Sequence, residues 1–196
     1  MSDSLYLSVW FPSFDPEEML PRTLSVLRQF PFSASESGVK YFSVHPVDWS
    51  EPTVLEHRFT TPADPAAVMK QIEEFAEPDY ALVFEATWDL WTPDVQGQWE
   101  LRPSKVTFIV HGPEFDDGAF REEGHIQVDF GLDYPFLHEE MELHSEDEER
   151  VKANVAKLID FTHKVEQNCK PRGRILWSES DENLAQKLVA RLQRVQ

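Results

Sequence analysis

Apolar residues along this chain follow two different periods, and the period changes from one segment to the next. Between positions 80 and 90, large apolar residues alternate with Glu85, Thr87 and Asp89, which predicts a half-buried strand. The leucines from Leu20 to Leu27 instead recur at helical spacing. Applied to the whole chain, the two periods predict strands over 5–11, 39–47, 53–60, 80–90, 106–110, 126–132 and 174–177, and helices that begin near residues 15, 64, 145 and 182.

Helix starts are marked by an acidic residue followed by proline. Asp64 and Pro65 match an N-cap followed by the first helical position, and Asp15 and Pro16 repeat the pattern. Pro21 follows within the first of these helices, and we expect it to shorten or kink the helix start because proline lacks a backbone N–H.

The order of the predicted elements indicates the fold class. Residues 1–91 have the order β-α-β-β-α-β, which is the ferredoxin-like order, and the remainder has the order β-β-α-β-α. Alternating strands favour antiparallel pairing, so the chain is predicted to be α+β. The segments 42–46 and 108–112 resemble each other, which raises the hypothesis of a pseudo-duplicated α/β plait.

The domain hypothesis follows this division. Residues 1–91 form a ferredoxin-like unit, 92–103 connect, and 104–196 form a second unit that either stands apart or shares one sheet or compact domain with the first. The predicted core consists of Leu20, Leu24, Phe42, Val44, Phe84, Phe108, Val110, Val128, Phe130, Leu158, Leu184 and Leu188.

Composition places the chain among folded proteins. Of its 196 residues, 41% are hydrophobic and 12% are aromatic, too many for a disordered acidic chain. The lone Cys169 cannot form an internal disulfide, and there is no signal-peptide pattern and no apolar run of about 20 residues. We therefore expect a cytoplasmic protein without membrane contact.

The catalytic and nucleotide-binding motifs that can be read from sequence are absent. No glycine-rich phosphate loop, G-x-S-x-G elbow, H-E-x-x-H, C-x-x-C or complete calcium loop occurs. No cofactor is predicted, and the absence of these motifs favours a protein that is not an enzyme without deciding the question.

Charge is distributed unevenly along the chain. The formal net charge is −18, and residues 112–149 contain 14 acidic residues and one basic residue, Arg121. Such a surface would repel nucleic acid and would attract a basic protein. A simpler interpretation is that the loop acids are solvated and that the acids at 146–149 stabilise a helix N-terminus.

The preferred functional hypothesis is a non-enzymatic binding protein for a basic partner, for example an immunity-type inhibitor of a cationic toxin. Carboxylates would steer the partner and exposed tryptophans would anchor it. The candidate partner-binding residues are Glu114, Asp116, Asp117, Glu122, Glu123, Trp91 and Trp99.

Two alternatives remain open from the sequence. Imidazole and carboxylate groups between residues 111 and 125 could hold a metal ion for a metal-assisted hydrolase. The candidate ligands are His111, Asp116, Asp117, Glu123 and His125. A small ligand could instead bind the open face of a ferredoxin-like sheet.

Overall fold

The computed structural model describes residues 3–137, 145–179 and 184–193. Its strands are β1 Ser4–Trp10, β2 Val39–Pro46, β3 Leu55–Ala63, β4 Tyr80–Pro93, β5 Trp99–His111, β6 Ile126–Leu132 and β7 Gly173–Ser178. Its α-helices are α1 Pro16–Leu27, α2 Pro65–Gln71, α3 Phe120–Glu123, α4 Tyr134–Leu137, α5 Ser145–Cys169 and α6 Leu184–Gln193.

All seven strands join one sheet in the order β3-β2-β4-β5-β6-β1-β7, and every neighbouring pair is antiparallel. The predicted α+β class with antiparallel pairing is therefore confirmed. The specific ferredoxin-like arrangement is not confirmed. β1 pairs with β6 and β7, both of which lie beyond residue 91, and it does not pair with β2, β3 or β4. Periodicity identifies elements locally, whereas strand pairing depends on contacts between distant segments.

The same pairing bears on the proposed duplication. Within the first β-β-α-β unit, β4 returns to pair with β2. Within the second β-β-α-β unit, β7 does not return to β5 in the same way. β7 pairs with β1, and β5 pairs with β4 on the side away from β6. The two units thus occupy the sheet differently, although their element orders match.

Residues 92–103, which the sequence suggested as a connection, lie inside the β4–β5 hairpin. The paired strands run from Ala81 opposite His111 to Pro93 opposite Trp99. Asp94 organises the turn, because its carboxylate accepts hydrogen bonds from the N–H groups of Gln96 and Gln98 (both 2.8 Å). Strands from both predicted units therefore lie side by side in the same sheet.

The helices cover one face of the sheet. Phe108 on β5 contacts Phe30 just after α1, with ring centroids 5.1 Å apart, and Phe130 on β6 contacts Phe161 on α5 at 6.0 Å. Burying each of these aromatic side chains contributes about 1.5–3 kcal/mol to stability.

The core prediction holds at eleven of its twelve positions. These eleven residues are buried, and Leu24 on α1 is half-buried and packs against the core.

Pro21 lies within the continuous helix α1, so the expected shortening of the helix start does not occur. The predicted N-cap is present, because the Asp64 carboxylate accepts a hydrogen bond from Ala67 N–H (3.1 Å). No helix in the described ranges is long and apolar enough to cross a membrane.

Candidate functional site

Four segments meet at one end of the sheet, and backbone and side-chain hydrogen bonds hold them together. Asp116 N–H donates to Val47 O (2.7 Å), and Val47 N–H donates to Asp79 O (2.8 Å). Trp10 Nε1 donates to Phe120 O (2.8 Å), which attaches the end of β1 to helix α3. We call this region, formed by residues 11–18, 47–54, 73–79 and 112–125, the acidic end.

The acidic end concentrates negative charge from segments far apart in sequence. Its four segments contain 14 acidic residues and one basic residue, Arg121. Glu18 pairs with Arg22, and Glu123 contacts His111, but the other carboxylates form no ion pair within the part of the chain that the structure describes. Two further cations, Lys170 and Arg172, lie just before β7 at one corner.

An exposed tryptophan lies among these carboxylates. Trp49 is 42% exposed, and its ring contacts Phe115 edge-on at 4.9 Å and His45 at 5.0 Å. Val47 and Val54 on the same loop are 52% and 48% exposed. Because Phe115 is itself buried, the Trp49 ring is supported from beneath while its outer face stays accessible to a partner.

The backbone of the acidic end is strained where two of its loops join. Val47 adopts φ 63°, which is a rare conformation for a β-branched residue. Asp116 and Asp117 also have positive φ, 46° and 54°. Such conformations persist only where surrounding contacts fix them, and they cluster at functional sites.

His111 anchors the loop between β5 and β6 from below. It is fully buried, with Nδ1 2.9 Å from Gly124 O and Nε2 3.1 Å from Oε2 of Glu123. The His111 ring therefore contacts both the backbone and a side chain of this loop. Contact with His111 lowers the pKa of the Glu123 carboxyl, although partial burial opposes the shift.

His125 anchors the other side of the same loop. Its ring lies between Phe14 and Phe120, both stacked at 4.6 Å, and its Nδ1 accepts a hydrogen bond from Phe11 N–H (2.9 Å). Burial, together with the nearby charge of His111, lowers the pKa of His125 from 6.5 to about 4. The ring is therefore neutral at pH 7, and it binds the chain instead of solvent.

The structure brings together only some of the residues suggested as metal ligands. His111 and Glu123 are in contact, whereas Asp116 and Asp117 are exposed on the outer turn of the loop. Within residues 3–137, 145–179 and 184–193, no group of three or more His, Cys, Asp or Glu side chains is arranged to hold a metal ion. Nδ1 of His125 is already bound to Phe11 N–H.

The candidate partner-binding residues fall into two groups. Glu114, Asp116, Asp117, Glu122 and Glu123 lie at the acidic end. Trp91 and Trp99 lie at the opposite end of the β4–β5 hairpin, which we call the hairpin end. Along β5, which ends at His111 and pairs Leu101 with Trp91, the two groups are separated by about 30–40 Å at 3.3 Å per residue. A single small interface cannot include both groups.

Residues of helix α5 already contact the hairpin end. Asn154 on α5 binds the backbone of Trp91 in both directions, with Trp91 N–H donating to Oδ1 (2.9 Å) and Nδ2 donating to Trp91 O (2.8 Å). Arg150 lies over the Trp91 ring at 5.6 Å, and Trp99 packs against the core.

A polar groove of about 410 Å³ lies on β2, β3 and β4, on the side of the sheet opposite the buried Phe42 and Phe84. Arg58 lies over the Tyr41 ring at 4.7 Å and donates to Glu85 (3.3 Å), while the Tyr41 hydroxyl donates to Glu56 (3.1 Å). The polar groups of the groove therefore already bind one another.

Sequence reasoning missed Trp49, which lies between the predicted strands 39–47 and 53–60. The available signal was an aromatic residue inside a turn-like polar segment, because a turn seldom buries so large a side chain.

Comparisons with protein-family models, with curated proteins and with solved structures found no match.

Proposed function

We propose that this protein binds a basic protein partner through the acidic end, with Trp49 as the anchor. The observation that supports the proposal is a 42% exposed tryptophan, backed by buried Phe115, among carboxylates that the described chain leaves without ion pairs. Inhibition of a cationic toxin by an immunity-type protein is one form that such binding would take.

The carboxylates and Trp49 would contribute to binding in different ways. Unpaired carboxylates such as Glu114 and Glu122 attract a cationic partner over a distance of about one Debye length, which raises the association rate. Trp49 would supply the apolar contact that is buried on binding and that slows dissociation. The hydrogen bonds that join the loops keep both parts in place before binding, which reduces the entropic cost of association.

The test begins with capture from an extract of the cells that produce the protein. The variants are Trp49→Ala and a four-site neutralised variant that carries Glu114→Gln, Asp116→Asn, Asp117→Asn and Glu122→Gln. Asparagine is chosen at positions 116 and 117 because it tolerates positive φ. The control variant carries Glu100→Gln, Glu146→Gln, Glu149→Gln and Asp160→Asn, which remove the same charge from exposed positions outside the acidic end.

We expect a basic protein that binds the natural chain and the control variant. The four-site neutralised variant should reduce its association rate about tenfold at low salt and flatten the dependence on ionic strength. Trp49→Ala should weaken the affinity about 30-fold through faster dissociation. A partner that binds all four proteins equally, or a partner that is not basic, would overturn the proposal.

A further inference from the structure

An apolar groove of about 690 Å³ lies between α1 and α2, on the face of the sheet that the helices cover. α2 has only seven residues, and it offers the small side chain of Ala66 to the groove, so a depression remains on the outer side of the two helices, above a buried core. The apolar lining is formed by Leu20, Pro21, Leu24, Ala66, Met69 and Ala76.

The rim of this groove is acidic. Glu17 on α1 and Glu73 just after α2 are exposed on either side, and Lys70 is the cation between them. Segments 15–24 and 65–77, which form the groove, carry six acidic and two basic residues. One of the two basic residues, Arg22, is already paired with Glu18. An occupant with apolar and cationic groups would be complementary to the lining and to the rim.

The groove is continuous with the acidic end. Glu73 and Ala76 line it, and within the next three residues Pro78 O accepts from Glu114 N–H (2.8 Å) and Asp79 O accepts from Val47 N–H (2.8 Å). The short segment 73–79 therefore belongs to both surfaces.

We propose that the groove receives the apolar face of a basic amphipathic helix supplied by the partner. A partner helix lying along the groove would pack against the outer sides of α1 and α2 at the usual interaxial distance of 8–10 Å. Leucine-like side chains would contact Met69 and Leu24, and flanking Lys or Arg residues would face Glu17 and Glu73. The inference rests on the proposed function, because it assigns a shape and a chemistry to the same basic partner.

Methionine methyl groups provide a direct measurement of groove occupancy. Met69 lies at the groove and is 6% exposed, whereas Met19 is fully buried in the core and serves as the internal reference. The probe is a synthetic helical peptide of leucine and lysine, about 18 residues or five turns long. A peptide with glutamate in place of each lysine is the matched control.

The leucine–lysine peptide should shift the Met69 methyl signal in a saturable titration and leave Met19 unchanged. The glutamate peptide should bind at least tenfold more weakly. Ala66→Phe should abolish the Met69 shift by filling the groove, and an unchanged Met19 signal would show that the core is intact. Glu17→Lys with Glu73→Lys should weaken binding at least tenfold, and Glu146→Lys with Glu149→Lys should not.

Three results would overturn this inference. The first is a peptide that shifts signals from 47–54 and 112–125 but not Met69, which would leave the proposed function standing. The second is equal binding of the lysine and glutamate peptides. The third is a Met69 shift on raising the protein concentration alone, since the occupant would then be a second copy of the chain. Failure of the proposed function itself would appear separately, as an indifference of the captured partner to Trp49→Ala.

Discussion

The acidic end and the hairpin end contain similar residues in opposite states. At the hairpin end, Asp147 pairs with Arg150 (2.8 Å), Glu149 with Lys152 (3.2 Å) and Glu100 with Arg102 (2.5 Å). The Trp91 ring at the hairpin end lies beneath Arg150. At the acidic end, Glu123 contacts His111, and the other carboxylates around Trp49 form no ion pair with a described residue.

The difference shows that residue type does not by itself identify an interaction surface. Carboxylates that are paired with neighbours contribute little to a long-range field, whereas unpaired carboxylates on adjoining loops reinforce one another. Trp91 lies against Arg150 and Trp99 packs against the core, so each ring exposes a smaller fraction than Trp49 does. The comparison therefore favours Trp49 over Trp91 and Trp99 as the anchor, and it can be tested by changing each end separately.

The largest expected effect is loss of stability at the hairpin end. Asn154→Ala would leave the N–H and carbonyl of Trp91 and the carbonyl of Pro135 without their present partner. We expect the free energy of unfolding to fall by about 3 kcal/mol in urea denaturation. His163→Ala, at an exposed position of the same helix, should change it by less than about 0.5 kcal/mol. A loss below about 1 kcal/mol for Asn154→Ala would contradict this role.

The next effect belongs to the acidic end and depends on pH. The pKa of His125 is about 4 in the folded protein and 6.5 without burial, so between these values the unfolded chain binds a proton that the folded chain does not. Stability should therefore fall as the pH is lowered through this range, by about 2 kcal/mol between pH 7 and pH 5.

His125→Asn tests this pH dependence. An Asn side-chain oxygen can accept the hydrogen bond from Phe11 N–H, but the residue does not titrate. We expect the variant to be less stable at pH 7, because it loses stacking with Phe14 and Phe120, and to lose most of the change between pH 7 and pH 5. Urea denaturation at the two pH values measures both effects. An unchanged pH dependence would mean that other groups cause it.

Secondary structure and core positions were largely predictable from the sequence, because both depend on local periodicity. The alternation around Phe84 and Phe108 predicted strands with a buried face, and both residues are fully buried. Pairing of β1 with β6 and β7 was not predictable, since nothing in a single strand specifies a distant partner. The composition of the acidic end could not be predicted for the same reason.

The acidic sequence segment illustrates this limit. Residues 112–149 appear as one charged block in the sequence, but the seven-residue strand β6 carries the chain away from the acidic end after residue 125. The acids at 146–149 consequently lie at the start of α5, near the hairpin end, and residues 138–144 lie outside the described residues. In their place, segments 11–18, 47–54 and 73–79 supply most of the carboxylates that accompany Glu114 and its neighbours.

A smaller difference in stability should distinguish removal of Trp91 from removal of Trp49. Trp91→Ala removes a half-buried ring that contacts Arg150, and it should reduce the free energy of unfolding by about 2 kcal/mol. Trp49→Ala removes a ring whose outer face is in solvent, so its cost should stay below about 1 kcal/mol. Thermal and urea unfolding of the two variants provide the comparison. Equal losses would show that Trp49 supports the fold as much as Trp91 does, and its assignment as an anchor would weaken.

The smallest expected effect is the change in stability when carboxylates are neutralised. At low ionic strength, neutralisation should stabilise the protein at the acidic end and destabilise it at the hairpin end. Removing unpaired like charges relieves repulsion, so the four-site neutralised variant of the acidic end should gain about 0.5 kcal/mol of stability at low ionic strength. Glu100→Gln with Glu149→Gln breaks two ion pairs at the hairpin end and should lose up to about 0.5 kcal/mol. Both changes should shrink in 0.5 M salt, where the Debye length is about 4 Å. Unfolding in urea at low and high salt measures the two signs. A loss of stability on neutralising the acidic end would mean that its carboxylates do have stabilising partners, and the contrast between the two ends would then fail.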